Sequence, residues 1–209
     1  MKILLADDHE VVRRGLKQML ADEFGKTTFG EAATAAEALD RACKEKWDLL
    51  LLDINMPGRS GIDVLREIKA QRPKLPVLVL SMSPEEEYAV RALKKGAAGY
   101  LSKQTVSTEL IAAVKKVIAG GRYITPSLAE KLAADLEKPA GAEAHDALSD
   151  RELQVMKLLA TGRSVKEIAG ELSLSEKTVF TYRGRLMEKL GLQSNVELAR
   201  YALKQGLVQ

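Results

Sequence analysis

Cysteine, histidine and long apolar runs are scarce in this sequence of 209 residues, and each scarcity excludes a class of protein. The single cysteine, Cys43, excludes an internal disulfide framework and suits a reducing, cytoplasmic location. Only His9 and His145 accompany it, which argues against a structural zinc site. No apolar run approaches the ~20 residues of a membrane-spanning helix, and residues 1–5 reach acidic residues too soon for a signal peptide. We therefore expect a cytoplasmic protein without a membrane partner.

Charge of neither sign is in large excess. The formal net charge is +3, with 46% hydrophobic and 29% charged residues, as in an ordinary globular protein. Lysine and arginine exceed aspartate and glutamate over residues 148–209, whereas acids prevail over residues 123–147. So mild an excess permits nucleic-acid binding without requiring it. The length suits two domains.

Residues 1–120 alternate between short apolar segments and segments of helical periodicity. The apolar segments predict strands over residues 3–6, 27–31, 48–52, 76–81 and 99–102. The periodic segments predict helices near residues 10–22, 35–46, 61–71, 85–95 and 106–119, the fourth opened by the cap Ser83-Pro84-Glu85-Glu86. Five consecutive strand–helix units predict an α/β fold, a doubly wound five-stranded parallel sheet with helices on both faces.

The remainder of the chain is predicted to be helical. Thr125-Pro126 opens a short helix to residue 137, and small and polar residues 138–147 predict a hinge. Four helices follow near residues 149–160, 164–171, 175–189 and 195–205, the first two opened by capping boxes. We predict domains over residues 1–122 and 148–209, joined by a linker over residues 123–147.

Polar residues stand where the predicted strands end. Asp7, Asp8, Asp53, Ser81 and Lys103 all fall there, and the carboxyl edge of an open parallel sheet is where ligands bind. Clustered carboxylates suit Mg²⁺, while a lysine and a hydroxyl stabilise a phosphoryl group. The set predicts phosphoryl transfer, which depends mainly on positioning and electrostatics. Taken singly, each aspartate is readily explained as a helix cap or a turn residue, and the lysine as a solvated surface residue.

These residues lie in segments that resemble the signature of two-component receiver domains, which are flavodoxin-like. The segments are Ala6-Asp7-Asp8-His9, Leu52-Asp53-Ile54-Asn55-Met56-Pro57-Gly58, Leu80-Ser81 and Gly99-Tyr100-Leu101-Ser102-Lys103. The resemblance implies that Asp53 is the phosphoacceptor and that a sensor histidine kinase is the donor. It implies that Mg²⁺ is held by Asp7, Asp8, Asp53 and the main-chain carbonyl of Asn55. It also implies switch and phosphoryl-binding roles for Ser81, Tyr100 and Lys103.

The segment over residues 164–190 has the pattern of a helix–turn–helix, although an ordinary amphipathic helix explains its periodicity equally well. Leu148-Ser149-Asp150-Arg151-Glu152, Leu174-Ser175-Glu176-Lys177-Thr178-Val179 and Leu186-Met187-Glu188-Lys189-Leu190-Gly191 resemble the LuxR-type DNA-binding module. The resemblance implies a small all-α four-helix domain whose third helix enters the major groove. The candidate contacts are Lys177, Thr178, Phe180, Thr181, Tyr182, Arg183 and Arg185. Phe180 and Gly184 depart from the polar or basic residues usual in this module, so base preference does not carry over.

The whole chain thus resembles response regulators of the NarL/FixJ type. That resemblance implies a transcription regulator that binds double-stranded promoter DNA, forms a homodimer when phosphorylated, and meets RNA polymerase. An aspartyl-phosphate hydrolase is one alternative, but such enzymes keep an acid two residues after the nucleophile, where this chain has Asn55. An adaptor whose C-terminal helices bind protein is another.

Overall fold

The computed structural model describes residues 1–56, 60–82, 85–137 and 144–208. The chain divides into two compact units, Met1–Lys138 and Pro139–Gln209. Several predicted features lie outside the described residues: Pro57 and Gly58 of the receiver signature, the cap residues Ser83 and Pro84, and residues 138–143 of the hinge. The unit boundary falls inside the predicted linker, and the domain limits stay a prediction.

A five-stranded parallel sheet forms the centre of the first unit, as predicted. Its strands are β1 (Lys2–Ala6), β2 (Thr28–Ala32), β3 (Leu49–Asp53), β4 (Val77–Ser81) and β5 (Gly99–Ser102). The spatial order β2-β1-β3-β4-β5 reverses direction between β1 and β3. The carboxyl ends of those two strands therefore border the position where open α/β sheets bind ligands.

Among the described residues of the first unit, the helices are α1 (Glu10–Phe24), α2 (Ala35–Lys44), α3 (Gly61–Gln71), α4 (Glu85–Lys94), α5 (Val106–Ile118) and α6 (Pro126–Glu137). Helices α1 and α5 pack their apolar residues onto one face of the sheet, where Leu16, Leu20, Leu110 and Val114 are buried. Helices α2, α3 and α4 pack next to one another along the sheet. All five residues of β3 are buried, as a strand covered on both faces must be.

The second unit is helical throughout its described part. A 3₁₀ turn at Ala144–Ala147 precedes α7 (Asp150–Ala160), α8 (Val165–Glu171), α9 (Glu176–Leu190) and α10 (Asn195–Lys204). Both predicted capping boxes are present, Ser149 with Glu152 and Ser164 with Glu167. Its core lies among the buried residues Leu153, Ile168, Val179, Leu186 and Leu198. Across the described residues of the chain, none of the helices combines the length and the apolar character needed to cross a membrane.

Candidate functional site

The first candidate site lies at the carboxyl edge of the sheet. Asp7 follows β1 directly, Asp53 is the last residue of β3, Ser81 ends β4, and Lys103 follows β5. Because parallel strands end at one edge, residues far apart in sequence meet there. One oxygen of each of Asp7, Asp8 and Asp53 and a ring nitrogen of His9 lie within 4.8 Å of one another.

Lys103 occupies the centre of this cluster. Its Nζ donates a hydrogen bond of 2.7 Å to Asp53 Oδ2. The same Nζ forms an ion pair with Asp7 Oδ2 at 2.6 Å. Both carboxylate side chains are 1% exposed. Burial works against the ammonium charge, but Asp53 and Asp7 outweigh it and raise the pKa of Lys103. One cation therefore compensates two buried carboxylates.

Asn55 contacts Asp53 on its other side. The main-chain N–H of Asn55 donates to Asp53 Oδ1 at 2.8 Å, and its side-chain amide donates to Ser81 Oγ at 3.2 Å. Burial raises the pKa of the Asp53 carboxyl even though Lys103 and the Asn55 N–H favour its ionised form. An amide cannot act as a general acid, which disfavours the hydrolase interpretation.

Asp7, Asp8 and His9 form a tight turn between β1 and α1. The main-chain N–H of His9 donates to Asp7 Oδ1 at 2.9 Å. Asp8 Oδ1 is buried and makes no hydrogen bond within the described part of the chain, although His9 Nδ1 lies 2.9 Å away. The oxygen-rich donor set and this unsatisfied carboxylate oxygen fit a hard divalent cation such as Mg²⁺. The His9 side chain is 67% exposed, and its imidazole nitrogen is a softer metal ligand than the carboxylate oxygens beside it.

Ser81 and Tyr100, for which the resemblance to receiver domains implies a switch role, are both fully buried. They stand on neighbouring strands, with Val79 opposite Tyr100 and Ser81 opposite Ser102. Leu101 belongs to the core beneath α1 and α5, so strand alternation places Tyr100 on the other face of the sheet. The switch roles stay a prediction.

Four further residues shape the site, and their roles were not predicted from the sequence. Arg13 on α1 donates from Nη1 to the main-chain oxygen of Asp7 at 2.7 Å and from Nε to Glu31 at 2.8 Å. Lys17 also binds Glu31, and these two hydrogen bonds, Lys17 first, lower the pKa of the Glu31 carboxyl. Glu31 is detectable from sequence, since it ends the predicted strand over residues 27–31.

Gly61, at the start of α3, is the fourth of these residues. A Cβ on Gly61 would lie 2.4 Å from Ile54 Cα and 2.7 Å from the main-chain oxygen of Asp53. Its N–H donates to the Ile54 carbonyl at 3.2 Å. Glycine is therefore required where α3 meets the end of β3, and the residue immediately before it, Ser60, caps the helix.

The second candidate site is the exposed side of α9. Of the predicted contacts, Lys177, Phe180, Thr181 and Arg185 are exposed, whereas Thr178, Tyr182 and Arg183 are partly buried. Thr178 Oγ1 lies 2.8 Å from Ser175 Oγ at the helix start, and Arg183 Nε donates to Asn195 Oδ1 at 3.0 Å. Thr178 and Arg183 are thus partly buried and also make hydrogen bonds within the unit, whereas Lys177, Phe180, Thr181 and Arg185 are exposed.

Two family models together match most of the chain. That of the response regulator receiver domain matches residues 3–115, and that of the luxR family of bacterial regulatory proteins matches residues 146–202. The chain is 38% identical over 209 residues to the response regulator GacA of Pseudomonas aeruginosa, a match covering all of this chain and 98% of GacA. It is 36% identical over 208 residues to the response regulator UvrY of Escherichia coli K12, covering 99% and 95% of the two chains.

Solved structures resemble the chain over nearly its full length. RcsB from Salmonella enterica serovar Typhimurium, bound to a promoter in the presence of the phosphomimetic BeF3−, matches with a TM-score of 0.59 and 28% identity. The match covers 96% of this chain and 97% of that one. A structure of two RcsB dimers bound to two parallel DNAs matches with a TM-score of 0.60, 28% identity and the same coverage.

Proposed function

Since the chain belongs to the response regulators of the NarL/FixJ type, which join a receiver domain to a LuxR-family DNA-binding domain, we propose that phosphorylation of Asp53 controls its binding to promoter DNA. The chain is a phosphorylation-controlled transcription regulator with a DNA-binding output domain, not a classical enzyme. The observation that carries the proposal is the meeting of Asp53 with Lys103 and Asp7 at one sheet edge.

The phosphoryl donor in this proposal is a sensor histidine kinase. A bond forms between an Asp53 carboxylate oxygen and phosphorus, while the bond from phosphorus to the donor imidazole nitrogen breaks. That imidazole nitrogen then takes up a proton. Lys103 already compensates Asp53 and Asp7, so it is placed to stabilise the negative charge on the transferred group. In this way the receiver assists its own phosphorylation and dephosphorylation.

Mg²⁺ is the cofactor that the carboxylate cluster fits. Asp7, Asp8, Asp53 and the main-chain carbonyl of Asn55 would hold it, and when bound it supplies positive charge to the phosphoryl oxygens. In this proposal, Asp7 and Asp8 act mainly as ligands of the cation, while Asp53 accepts the phosphoryl group.

Phosphorylation adds a charge of about −1.5 to −2 and three acceptor oxygens at the end of β3. We propose that the Ser81 hydroxyl leaves the Asn55 amide, from which it accepts at 3.2 Å, and donates to a phosphoryl oxygen. Tyr100 adjusts to the moved Ser81 segment, which changes the surface around α4 and α5. In this proposal, the changed surface around α4 and α5 transmits the phosphorylation signal from the receiver.

In the second unit, α9 is proposed to enter the major groove of duplex DNA. Lys177, Thr178, Phe180, Thr181, Tyr182, Arg183 and Arg185 are the proposed contacts. Lys177 and Arg183 contact phosphates in this proposal, and Arg183 is already held by Asn195. Steep salt dependence of binding would separate this function from the protein adaptor.

A homodimer of the phosphorylated chain is proposed to read two half-sites, about one helical turn apart. Helix α10 offers a surface for it, because Val196 is 71% and Leu203 58% exposed and seven positions separate them on one helix face. Other residues of α10, Leu198 and Ala202, are fully buried within the unit. Contact with RNA polymerase at the promoter belongs to the same proposal.

Footprinting tests the proposed function. The unmodified chain and Asp53→Ala are each titrated onto promoter fragments with and without Mg²⁺ and phosphoramidate as phosphoryl donor. The donor is expected to tighten protection by the unmodified chain alone. Asp40→Ala is the control, since Asp40 is 55% exposed in a surface ion pair with Lys44. Equal affinity in all four conditions for the unmodified chain and Asp53→Ala would refute phosphorylation control.

A further inference from the structure

The exposed side of α9 carries five residues on one continuous stripe. Lys177, Phe180, Thr181, Gly184 and Arg185 follow the spacing of a single helix face, and all five are exposed. The opposite side contributes the fully buried Val179 and Leu186 to the core. The stripe is therefore part of the side of α9 that the described residues of the second unit leave open to another molecule.

Phe180 is the one large apolar residue of this stripe and is 57% exposed. It lies among polar neighbours, with the cationic Lys177 and Arg185 on either side along the helix. The Thr181 hydroxyl donates to the main-chain oxygen of Lys177 at 2.9 Å, so it is engaged within the helix. The centre of the stripe therefore offers an apolar contact more than a hydrogen-bonding one.

Gly184 lies one turn after Phe180 on the same face. Apart from its chain neighbours and the backbone of its own helix, no atom of the described chain lies within 4 Å of the position that a Cβ would take, so packing does not require glycine. Its φ is not positive, unlike that of Gly191 at the helix end, so backbone conformation does not require it either. Glycine also weakens a helix interior relative to alanine. At this exposed position, a residue without a side chain leaves room for another molecule to approach the helix closely.

We propose that Phe180 packs on the C5-methyl group of a thymine in the major groove and that Gly184 gives the DNA room to approach α9 beside it. The thymine methyl is the apolar feature that base pairs present in that groove. Lys177 and Arg185 supply the flanking positive charge that phosphates attract. The pair thus confers a preference for A·T at one position of each half-site, and this inference rests on the proposed reading of DNA by α9.

Removal of single methyl groups tests the inference. Duplexes are first selected from random DNA by the full-length phosphorylated chain, and each thymine of the selected site is then replaced singly by uracil. One position per half-site is expected to lose about three- to five-fold in affinity, the effect of uncovering one methyl group. Phe180→Ala should bind the thymine and uracil duplexes equally, with an unchanged salt slope.

Two other variants complete the test. Val11→Ala removes an apolar side chain that is 82% exposed on α1, and it should keep the full thymine preference. Gly184→Ala should weaken binding to every selected duplex several-fold, and unchanged affinity would overturn its assigned role. Circular dichroism should show native helix content in each variant, because all three positions are exposed.

Two outcomes overturn the role of Phe180. One is equal binding of thymine and uracil duplexes by the unmodified chain. The other is an undiminished thymine preference in Phe180→Ala, which, if accompanied by altered self-association in sedimentation, assigns the residue to a protein contact. Failure of the proposed function looks different, because the chain would then bind no duplex with a steep salt dependence.

Discussion

Arg13 holds the main chain of Asp7 through a 2.7 Å hydrogen bond from Nη1 to the carbonyl oxygen. The same guanidinium donates from Nε to Glu31 near the end of β2, and its side chain is only 12% exposed. One planar cation therefore ties the turn that carries Asp7 and Asp8 to the neighbouring strand. Groups that hold the ligands of a metal site in place commonly affect metal affinity nearly as much as the ligands themselves.

Replacement of Arg13 should weaken Mg²⁺ binding. Arg13→Ala releases the Asp7 carbonyl, and we expect a loss of about 10-fold or more in Mg²⁺ affinity by isothermal titration calorimetry. Arg14→Ala is the matched control, since Arg14 lies next to it on α1 but is 75% exposed and pairs with Glu10. Equal Mg²⁺ affinity in the two variants would contradict the positioning role of Arg13.

Replacement of Lys103 should destabilise the first unit in the absence of Mg²⁺. Lys103→Gln leaves Asp7 and Asp53 buried without a compensating charge, and we expect a loss of about 1–3 kcal/mol in the free energy of unfolding. Added Mg²⁺ should restore part of the lost free energy of unfolding, and it should stabilise Lys103→Gln more than it stabilises the unmodified chain. Trp47 is the only tryptophan of the chain, so its fluorescence during urea unfolding reports this unit.

Lys26→Gln is the control for that measurement, since Lys26 is exposed on the same unit. It should leave the unfolding curve unchanged with or without Mg²⁺. If Lys103→Gln were more stable than the unmodified chain without Mg²⁺, the idea that Lys103 relieves carboxylate repulsion would be wrong.

Much of the first site follows from strand order alone. Asp7, Asp53 and Lys103 each stand where an apolar segment stops, and parallel strands place such ends at one edge, so their meeting was predictable. That one ammonium bridges both carboxylates was not, because it depends on side-chain conformations. The hydrogen bonds of Arg13 to Glu31 and of Arg183 to Asn195 were not predictable either, because the partners lie on different elements that only packing brings together.

Gly61 is a site residue whose role comes from the absence of a side chain. Gly61→Ala should lower the free energy of unfolding of the first unit by about 1–3 kcal/mol, because the new Cβ overpacks against the main chain of Asp53 and Ile54. Urea unfolding followed by Trp47 fluorescence measures the loss. Mg²⁺ affinity should fall as well, since the end of β3 must shift.

Gly15→Ala provides the matched comparison within the same unit. Gly15 lies inside α1, and apart from its chain neighbours and the backbone of that helix no described atom lies within 4 Å of the position that a Cβ would take. Alanine should therefore raise the free energy of unfolding by about 0.5–1 kcal/mol. Opposite signs for the two glycine substitutions are the expected result. Stabilisation by both would show that α3 relaxes away from β3 without consequence.

The second unit should lose stability in acid through Glu152, which is 3% exposed and links α7 to the end of α9. Its carboxylate accepts from Lys189 Nζ at 2.6 Å and from the Ser149 N–H at 2.7 Å. Burial opposes ionisation, but Lys189 and Ser149 outweigh it and lower the pKa of Glu152 below its usual 4.5. A lowered folded-state pKa means that this stabilisation is complete above about pH 4.5 and is lost as the pH falls through the folded-state value.

Glu152→Gln should therefore lower the free energy of unfolding of the second unit at pH 7 by about 1–2 kcal/mol, a value reduced because Lys189 is partly exposed. The gap should close as the pH falls below 4.5, the usual pKa of the group. Circular dichroism follows both units and Trp47 fluorescence only the first, so the difference between the two urea curves isolates the second. Glu167→Gln removes the matching acid of the other capping box. The Glu167 carboxylate is exposed and lies 3.8 Å from Arg163, so this variant should lose less free energy of unfolding than Glu152→Gln. A pH-independent gap for Glu152→Gln would mean that its effect comes from packing and not from the ionised carboxylate.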